Sequence, residues 1–198
     1  TQFFVAKNKL AHILVIRLSA MGDVAMTVPV LLALQKQYPE TKITVLTKAF
    51  FEPILSNVPN VKVYAAEVKD KHRGVFGLWK LNKELRSLKI DAVVDLHNVL
   101  RSNILKQFFK ISGVPFYQLN KGRNEKKALT AHQNKVFKPL KPMHERYADV
   151  FRTCGFSFQL VKEAVLPKME VAPVVALKLG LTENKTIGVA PFAAFEGK

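Results

Sequence analysis

Two solidly apolar runs of strand length, "HILVIRL" and "KITVLT", flank a helical pattern, and the alternation continues through "VKVYAA", "DAVVDLH" and "PFYQL". Strands alternating with helices imply a parallel sheet, because a parallel neighbour is reached only through a crossover, usually helical. Apolar residues at nearly every position of a strand, not every second one, mean that both of its faces are covered. The intervening helical patterns lie at 24–38, 50–57, 76–88 and 101–111. The expected fold class is therefore α/β, a Rossmann-like doubly wound parallel sheet.

Beyond the fifth strand the pattern breaks. Residues 121–142, "KGRNEKKALTAHQNKVFKPLKP", are polar, basic and aperiodic, the character of a long functional or mobile connection. Helical character returns at "MHERYADVFRTCGF", followed by an extended "QLVKEAVLP", a short helix around 171–179 and a new strand in "KTIGVAPFAAFEGK". A strand with no helix behind it to cover the sheet reads as the opening of another domain. The expected division is a Rossmann-like domain over 1–180, with 181–198 as linker and first strand and loop of a second domain.

Thirty-one Lys and Arg against 15 Asp and Glu give a formal net charge of +16. Such a chain is attracted to anions: nucleic acid, phosphosugars, nucleotides or an acidic membrane surface. Aromatics are not interleaved with the basic run as single-strand binders require, and no nucleic-acid-binding motif occurs, so no nucleic-acid partner is expected. The one cysteine, Cys154, excludes an internal disulfide and reads as a buried helix residue in a reducing compartment. No apolar run approaches the roughly 20 residues that span a bilayer, and the start lacks a signal-peptide pattern, so the expected location is the cytoplasm. Trp79, in "FGLWKLNKEL", is expected on the core face of its helix.

In an open α/β sheet, ligands bind beyond the carboxyl ends of the strands, which places the loop Ser19 to Asp23 where chemistry occurs. A dinucleotide fingerprint needs three glycines in that turn; only Gly22 is present. Asp23 then has two readings, a carboxylate capping a helix entrance or a catalytic base. Pro29 disturbs the following helix: either the regular helix starts near it, with Thr27 at the cap, or a first turn from Asp23 is kinked there. Arg101, a cation at a helix start, opposes the dipole and so calls for an anionic partner or ligand, while Ser102 suits either a cap or a substrate contact. His97 and His144 read first as hydrogen-bonded structural histidines placed within reach of a site.

The order of residues in "ILVIRLSAMGDVAMTVPVLLALQKQYP", with Arg-x-Ser-x-x-Gly-Asp, then Thr-x-Pro, and a helix ending near Tyr-Pro, closely resembles the start of glycosyltransferase family 9, the ADP-heptose:lipopolysaccharide heptosyltransferases. "IDAVVDLHNVLRSNIL" is similar to that family's second landmark, a strand ending in Asp and a helix opening on a basic residue and Ser, here Asp95, Arg101 and Ser102. "MHERYADVF" resembles its His-Glu-Arg helix, and "IGVAPFAAFEGK" the strand, loop and lysine that open its nucleotide-sugar domain. The likeness covers nearly the whole chain, strongest over 13–39 and weakest in the basic loop.

This resemblance implies the N-terminal, acceptor-binding half of a GT-B glycosyltransferase. Asp23 would be the general base of an inverting transfer of heptose, or a related sugar, from an ADP-sugar to a lipopolysaccharide inner-core or other phosphorylated glycolipid acceptor. Lys198 would neutralise the leaving diphosphate, unless it is simply a solvated lysine. Ser19, Gly22, Asp95, Arg101, Ser102, Arg123, Lys126 and His144 would face the acceptor, with Lys127 a further basic candidate. No cofactor and no metal is implied; the ADP-sugar is a co-substrate. The family's Asp-x-Gly-x-x-His motif is absent from these residues, so the chain alone is expected to be inactive. Eleven Lys and Arg against two acids between Arg101 and Arg146 suit a phosphorylated acceptor and the anionic inner face of the cytoplasmic membrane. The alternative is a non-catalytic Rossmann-like module that binds a sugar or nucleic acid.

Overall fold

The computed structural model describes residues 10–160, 166, 171–180 and 187. The chain forms two compact units, Thr1–Leu166 and Pro167–Lys198. Of the expected linker and strand over 181–198, only Ile187 is described; Lys198 lies outside the described residues.

Five strands, β1 (His12–Ile16), β2 (Lys42–Thr47), β3 (Val61–Ala65), β4 (Ala92–Asp95) and β5 (Phe116–Gln118), form one sheet in the order β3-β2-β1-β4-β5. All four pairings are parallel, with Val15 of the central strand opposite Val45 on one side and Val94 on the other. Ile13, Leu14, Val15 and Ile16 are all fully buried, as the unbroken apolar run requires.

The first unit carries seven α-helices among its described residues: α1 (Met21–Ala25), α2 (Val28–Gln37), α3 (Glu52–Leu55, preceded by a 3-10 turn at Ala49–Phe51), α4 (Gly74–Arg86), α5 (Leu100–Ile111), α6 (Arg123–Leu129) and α7 (Met143–Thr153). α8 (Pro173–Lys178) belongs to the second unit. Alternate β1 residues point into two cores. Ile13 and Val15 pack with Leu31 and Leu34 of α2 and with Tyr147 and Phe151 of α7. Leu14 and Ile16 pack with Leu78, Leu81 and Leu85 of α4 and with Leu105 and Phe109 of α5. The sheet is thus covered on both faces. Cys154 is buried in the first core, and burial pushes its thiol up to about 12, so it is a structural residue.

Pro29 resolves into both sequence readings at once. A short first helix, α1, ends at Ala25, and α2 opens at Val28 with Thr27 before it and Pro29 at its second position, where no intrahelical N–H bond is lost. Thr27 does not cap with its side chain; its hydroxyl donates back to the Val24 carbonyl at 2.6 Å.

Two expectations are corrected. The connection 121–142 is not wholly irregular, since α6 lies inside it; α6 buries none of its side chains, so it carries no apolar period to read. Trp79 is not in the core. It is 40% exposed on the outer side of α4, stacked on Phe76, because Leu78, Leu81 and Leu85 take the inward positions.

Candidate functional site

After β1 the chain builds β2 and β3 on one side of it and then returns to place β4 on the other. The carboxyl ends of β1 and β4 therefore flank the topological switch point, where loops diverge and leave a crevice. Arg17, Ser19 and Asp23 come from the β1 end, and His97 and Asn98 from the β4 end.

Arg17 follows the apolar run of β1 directly and is buried. Its guanidinium donates to the Leu96 carbonyl at 2.6 Å, lies over the Tyr147 ring at 5.7 Å, and pairs through Nη2 with Oδ2 of Asp23. That same Oδ2 accepts the Ala20 N–H at 3.3 Å. The Asp23 side chain is 42% exposed, and its Oδ1 has no hydrogen-bond partner among the described residues. The capping and base readings are thus compatible: one oxygen is held, the other faces outward. Arg17 carries no motif role in the sequence; its one signal there is that a cation closes a fully apolar strand.

The β4 side is a hydrogen-bonded floor. Asp95 is fully buried; its Oδ1 accepts the N–H groups of His97 (2.8 Å) and Asn98 (3.0 Å), and its Oδ2 accepts Gln118 Nε2 at 2.9 Å. Asn98, at a φ of +47°, donates through its amide to the Leu119 carbonyl at 2.8 Å. Asp95 therefore shapes the loop, its oxygens occupied by three protein donors. Ser102 is likewise buried and caps α5, accepting the Val99 N–H at 3.0 Å. Arg101, one residue earlier, is exposed and forms no ion pair among the described residues.

His97 Nε2 stands 3.4 Å from Ser19 Oγ across the crevice, and its buried Nδ1 has no partner among the described residues. Burial, then the Arg17 charge, push its pKa down to about 4 against the opposing pull of Asp95. It is a neutral imidazole at pH 7. Folding favours the neutral form, so the stability this histidine contributes is complete above its ordinary value of 6.5 and is lost as pH falls through about 4. We expect Tm to drop across that window in the wild type and less steeply in His97→Gln, read by thermal denaturation against pH. Parallel profiles for the two proteins would contradict this.

Beside the floor, a polar cavity of about 530 Å³ is lined by Lys106, Gln118, Asn120, Lys121, Arg123 and Glu125, among others. Lys121 is half-buried, and burial followed by the charges of Arg123 and Arg17 holds its ammonium below the ordinary lysine range. Arg146 of α7 ties the cavity wall in place. It is buried, pairs with Glu125, donates from Nε to the Lys141 carbonyl at 3.1 Å, and lies so close to Gly122 that a Cβ there would sit 2.5 Å from its guanidinium. Gly122 also has a φ of +61°, a second reason for glycine. Arg123, Lys126 and Lys127 are exposed on α6, while His144 is half-buried on the first turn of α7.

The structure thus brings Ser19, Asp23, His97, Arg17 and Lys121 to one crevice and gives Asp95 and Ser102 internal partners. Gly22 needs no glycine for its backbone, because an added Cβ meets nothing within 4 Å. Gly22→Ala is expected to leave Tm unchanged or raise it slightly, by about 0.5–1 kcal/mol of stability. Among the described residues, no group of three or more His, Cys, Asp or Glu could hold a metal ion, and no helix is long and apolar enough to cross a membrane.

No protein-family model matches the chain. A curated relative, a lipopolysaccharide core heptosyltransferase of Haemophilus influenzae, is 33% identical over 101 residues, which are 49% of this chain and 28% of that protein. Among solved structures, the Escherichia coli ADP-heptose lipopolysaccharide heptosyltransferase II is similar with a TM-score of 0.55 and 24% identity, covering 87% of this chain and 51% of that one. A glycosyltransferase family 9 protein of Veillonella parvula gives a TM-score of 0.55 at 20% identity, covering 86% and 48%. The chain thus spans about half of each solved protein or less of the curated one. These comparisons bear out the resemblance to glycosyltransferase family 9 and the Rossmann-like α/β fold read from the residues.

Proposed function

We propose that this chain is the acceptor-binding half of an inverting glycosyltransferase that moves heptose, or a related sugar, from an ADP-sugar to a lipopolysaccharide inner-core acceptor, with Asp23 as general base. The observation that carries the reading is the half-exposed Asp23 carboxylate, fixed through Oδ2 by the buried Arg17 and open at Oδ1, at the mouth of the switch-point crevice. Relatives named as heptosyltransferases support it.

In this reading an acceptor hydroxyl reaches Oδ1, its oxygen bonds to the anomeric carbon from the face opposite the diphosphate, and its proton passes to Asp23. The bond between the anomeric carbon and the diphosphate oxygen breaks with its electron pair leaving on the diphosphate, so configuration inverts. A diphosphate needs charge neutralisation more than a proton, and one carboxylate is enough. Arg17 is a positioning residue: it fixes which oxygen faces the acceptor. The cavity with Lys106, Lys121 and Arg123 suits phosphate or acidic-sugar groups of the acceptor. Lys198 is proposed for the donor diphosphate, with Arg101 and Lys126 as outer acceptor contacts.

The test is transfer from ADP-heptose to a heptose-deficient lipopolysaccharide by the full protein that contains this chain, wild type against Asp23→Asn. Activity that collapses in the variant with folding intact supports the reading. Equal activity in both removes Asp23 from catalysis and leaves it a structural carboxylate.

A further inference from the structure

The outward side of α4 carries large apolar groups that no described residue of the first unit covers. Val75 is 61% exposed, Phe76 77% and Trp79 40%. They follow one helical stripe with Lys80 and Lys83, at spacings of three and four residues. Phe76 and Trp79 stack with ring centroids 5.4 Å apart, and the Lys83 ammonium sits 3.8 Å above the Trp79 ring. The aromatics are thus already ordered as a wedge with a cation at its rim.

The surroundings of this wedge are strongly basic. Residues 67–89 hold seven Lys and Arg against three acids. One of those acids, Glu84, is neutralised internally: it pairs with Lys71 at 2.8 Å and accepts from Tyr64 and His72. What remains outward is apolar at the centre and net positive at the edge, with exposed Lys69, Arg73, Lys80, Lys83, Arg86 and Lys89 against the exposed Glu67 and Asp70. An acidic protein groove would match the charge, but would leave a stacked Phe and Trp to find one complementary pocket. A bilayer with anionic headgroups accepts both features without a specific pocket, because aromatic rings settle at the headgroup level and lysines pair with lipid phosphates.

Position adds a further argument. Helices of a doubly wound sheet start at the carboxyl ends of the strands, so the first turns of α4 and α5 stand at the same end of the sheet as the switch-point crevice. Leu100, at the start of α5, is 76% exposed beside the exposed Arg101.

We propose that the Phe76–Trp79 stripe of α4 is a docking surface for an anionic lipid bilayer. The surface stands on its own geometry; its use in presenting a lipid-borne acceptor to the crevice rests on the function proposed above.

Trp79 is the sole tryptophan of the chain and reports directly on the site. Flotation of this protein with phosphatidylcholine vesicles, with and without phosphatidylglycerol, is combined with tryptophan emission and analytical ultracentrifugation. Binding is expected only with phosphatidylglycerol, accompanied by a blue shift of Trp79 emission. Phe76→Ser and Lys83→Glu, both at exposed positions, are each expected to weaken partitioning by roughly tenfold or more, with circular dichroism unchanged. Vesicle binding that both variants retain would overturn the proposal by placing the contact elsewhere on the basic surface. So would absence of vesicle binding, or a self-association that Phe76→Ser abolishes while emission ignores lipid. None of these readouts involves sugar transfer, so the docking surface and the proposed reaction stand or fall separately.

Discussion

On the proposed reading of Asp23 as general base, Asp23→Asn in the full protein that contains this chain is expected to lower kcat for transfer by about 10²–10⁴-fold, the range in which a positioned base contributes. The substitution keeps an oxygen for the Ala20 N–H but removes the charge opposite Arg17, which is buried. That costs stability as well, on the order of 1–3 kcal/mol, because the buried guanidinium loses its counter-charge and keeps only uncharged partners, the Leu96 carbonyl, the Tyr147 ring and a neutral amide oxygen. A domain stable by about 5–15 kcal/mol remains folded after such a loss at 25 °C. Rate and stability therefore separate: circular dichroism and Tm report the ion pair, and kcat at 25 °C reports the base. A variant with native spectra and near-native kcat would show that the open oxygen has no part in the reaction.

The largest effect on stability is expected from a residue with no link to catalysis. A Cβ added at Gly77 would lie 2.5 Å from the His72 carbonyl carbon and 2.8 Å from its Cα, contacts with backbone and not with a yielding side-chain tip. His72 cannot retreat freely. Its imidazole is 1% exposed, accepts the Glu67 N–H at 3.0 Å and reaches Glu84 at 3.1 Å. Burial alone would raise the Glu84 carboxyl, but the bonds from Lys71, Tyr64 and His72 outweigh it and hold its pKa at about 2. Alanine gains about 1 kcal/mol in helix propensity, which overpacking exceeds, for a net loss of about 2–3 kcal/mol. Thermal denaturation should register Gly77→Ala as a fall of roughly 4–12 °C in Tm. An unchanged Tm would mean that the 67–73 turn shifts at no cost.

The sheet was legible because its central strands are apolar throughout, and only a two-sided core explains Ile13, Leu14, Val15 and Ile16 in succession. α4 was legible as a helix but not in its orientation. "VFGLWKL" is apolar on two sides, and nothing in the string says that Leu78 and Leu81 turn inward while Phe76 and Trp79 turn out. α6 was hidden for the opposite reason, having no apolar side at all. At the crevice, Asp23 was readable from its place after a strand and a loop. The partnership of Arg17 with it was not, since the buried guanidinium depends on Leu96 and Tyr147, far away in sequence. For Ser102 the sequence leaves a cap and a substrate contact equally open, and for Asp95 the family resemblance implies the acceptor; in the fold both side chains accept local backbone N–H bonds, which depend on loop geometry that the string does not show.

The clamp formed by Arg146, Glu125 and Gly122 has an evolutionary consequence. Because α6 contributes no side chain to either core, the residues facing the 530 Å³ cavity from it are free to change without loss of foldability, provided that the clamp is kept. Such a wall separates the heritable requirement for a stable sheet from the requirement for a particular ligand. Descendants of this chain are therefore expected to diversify first along 123–124 and 126–129, trading one set of surface groups for another around a fixed Arg146–Glu125 pair.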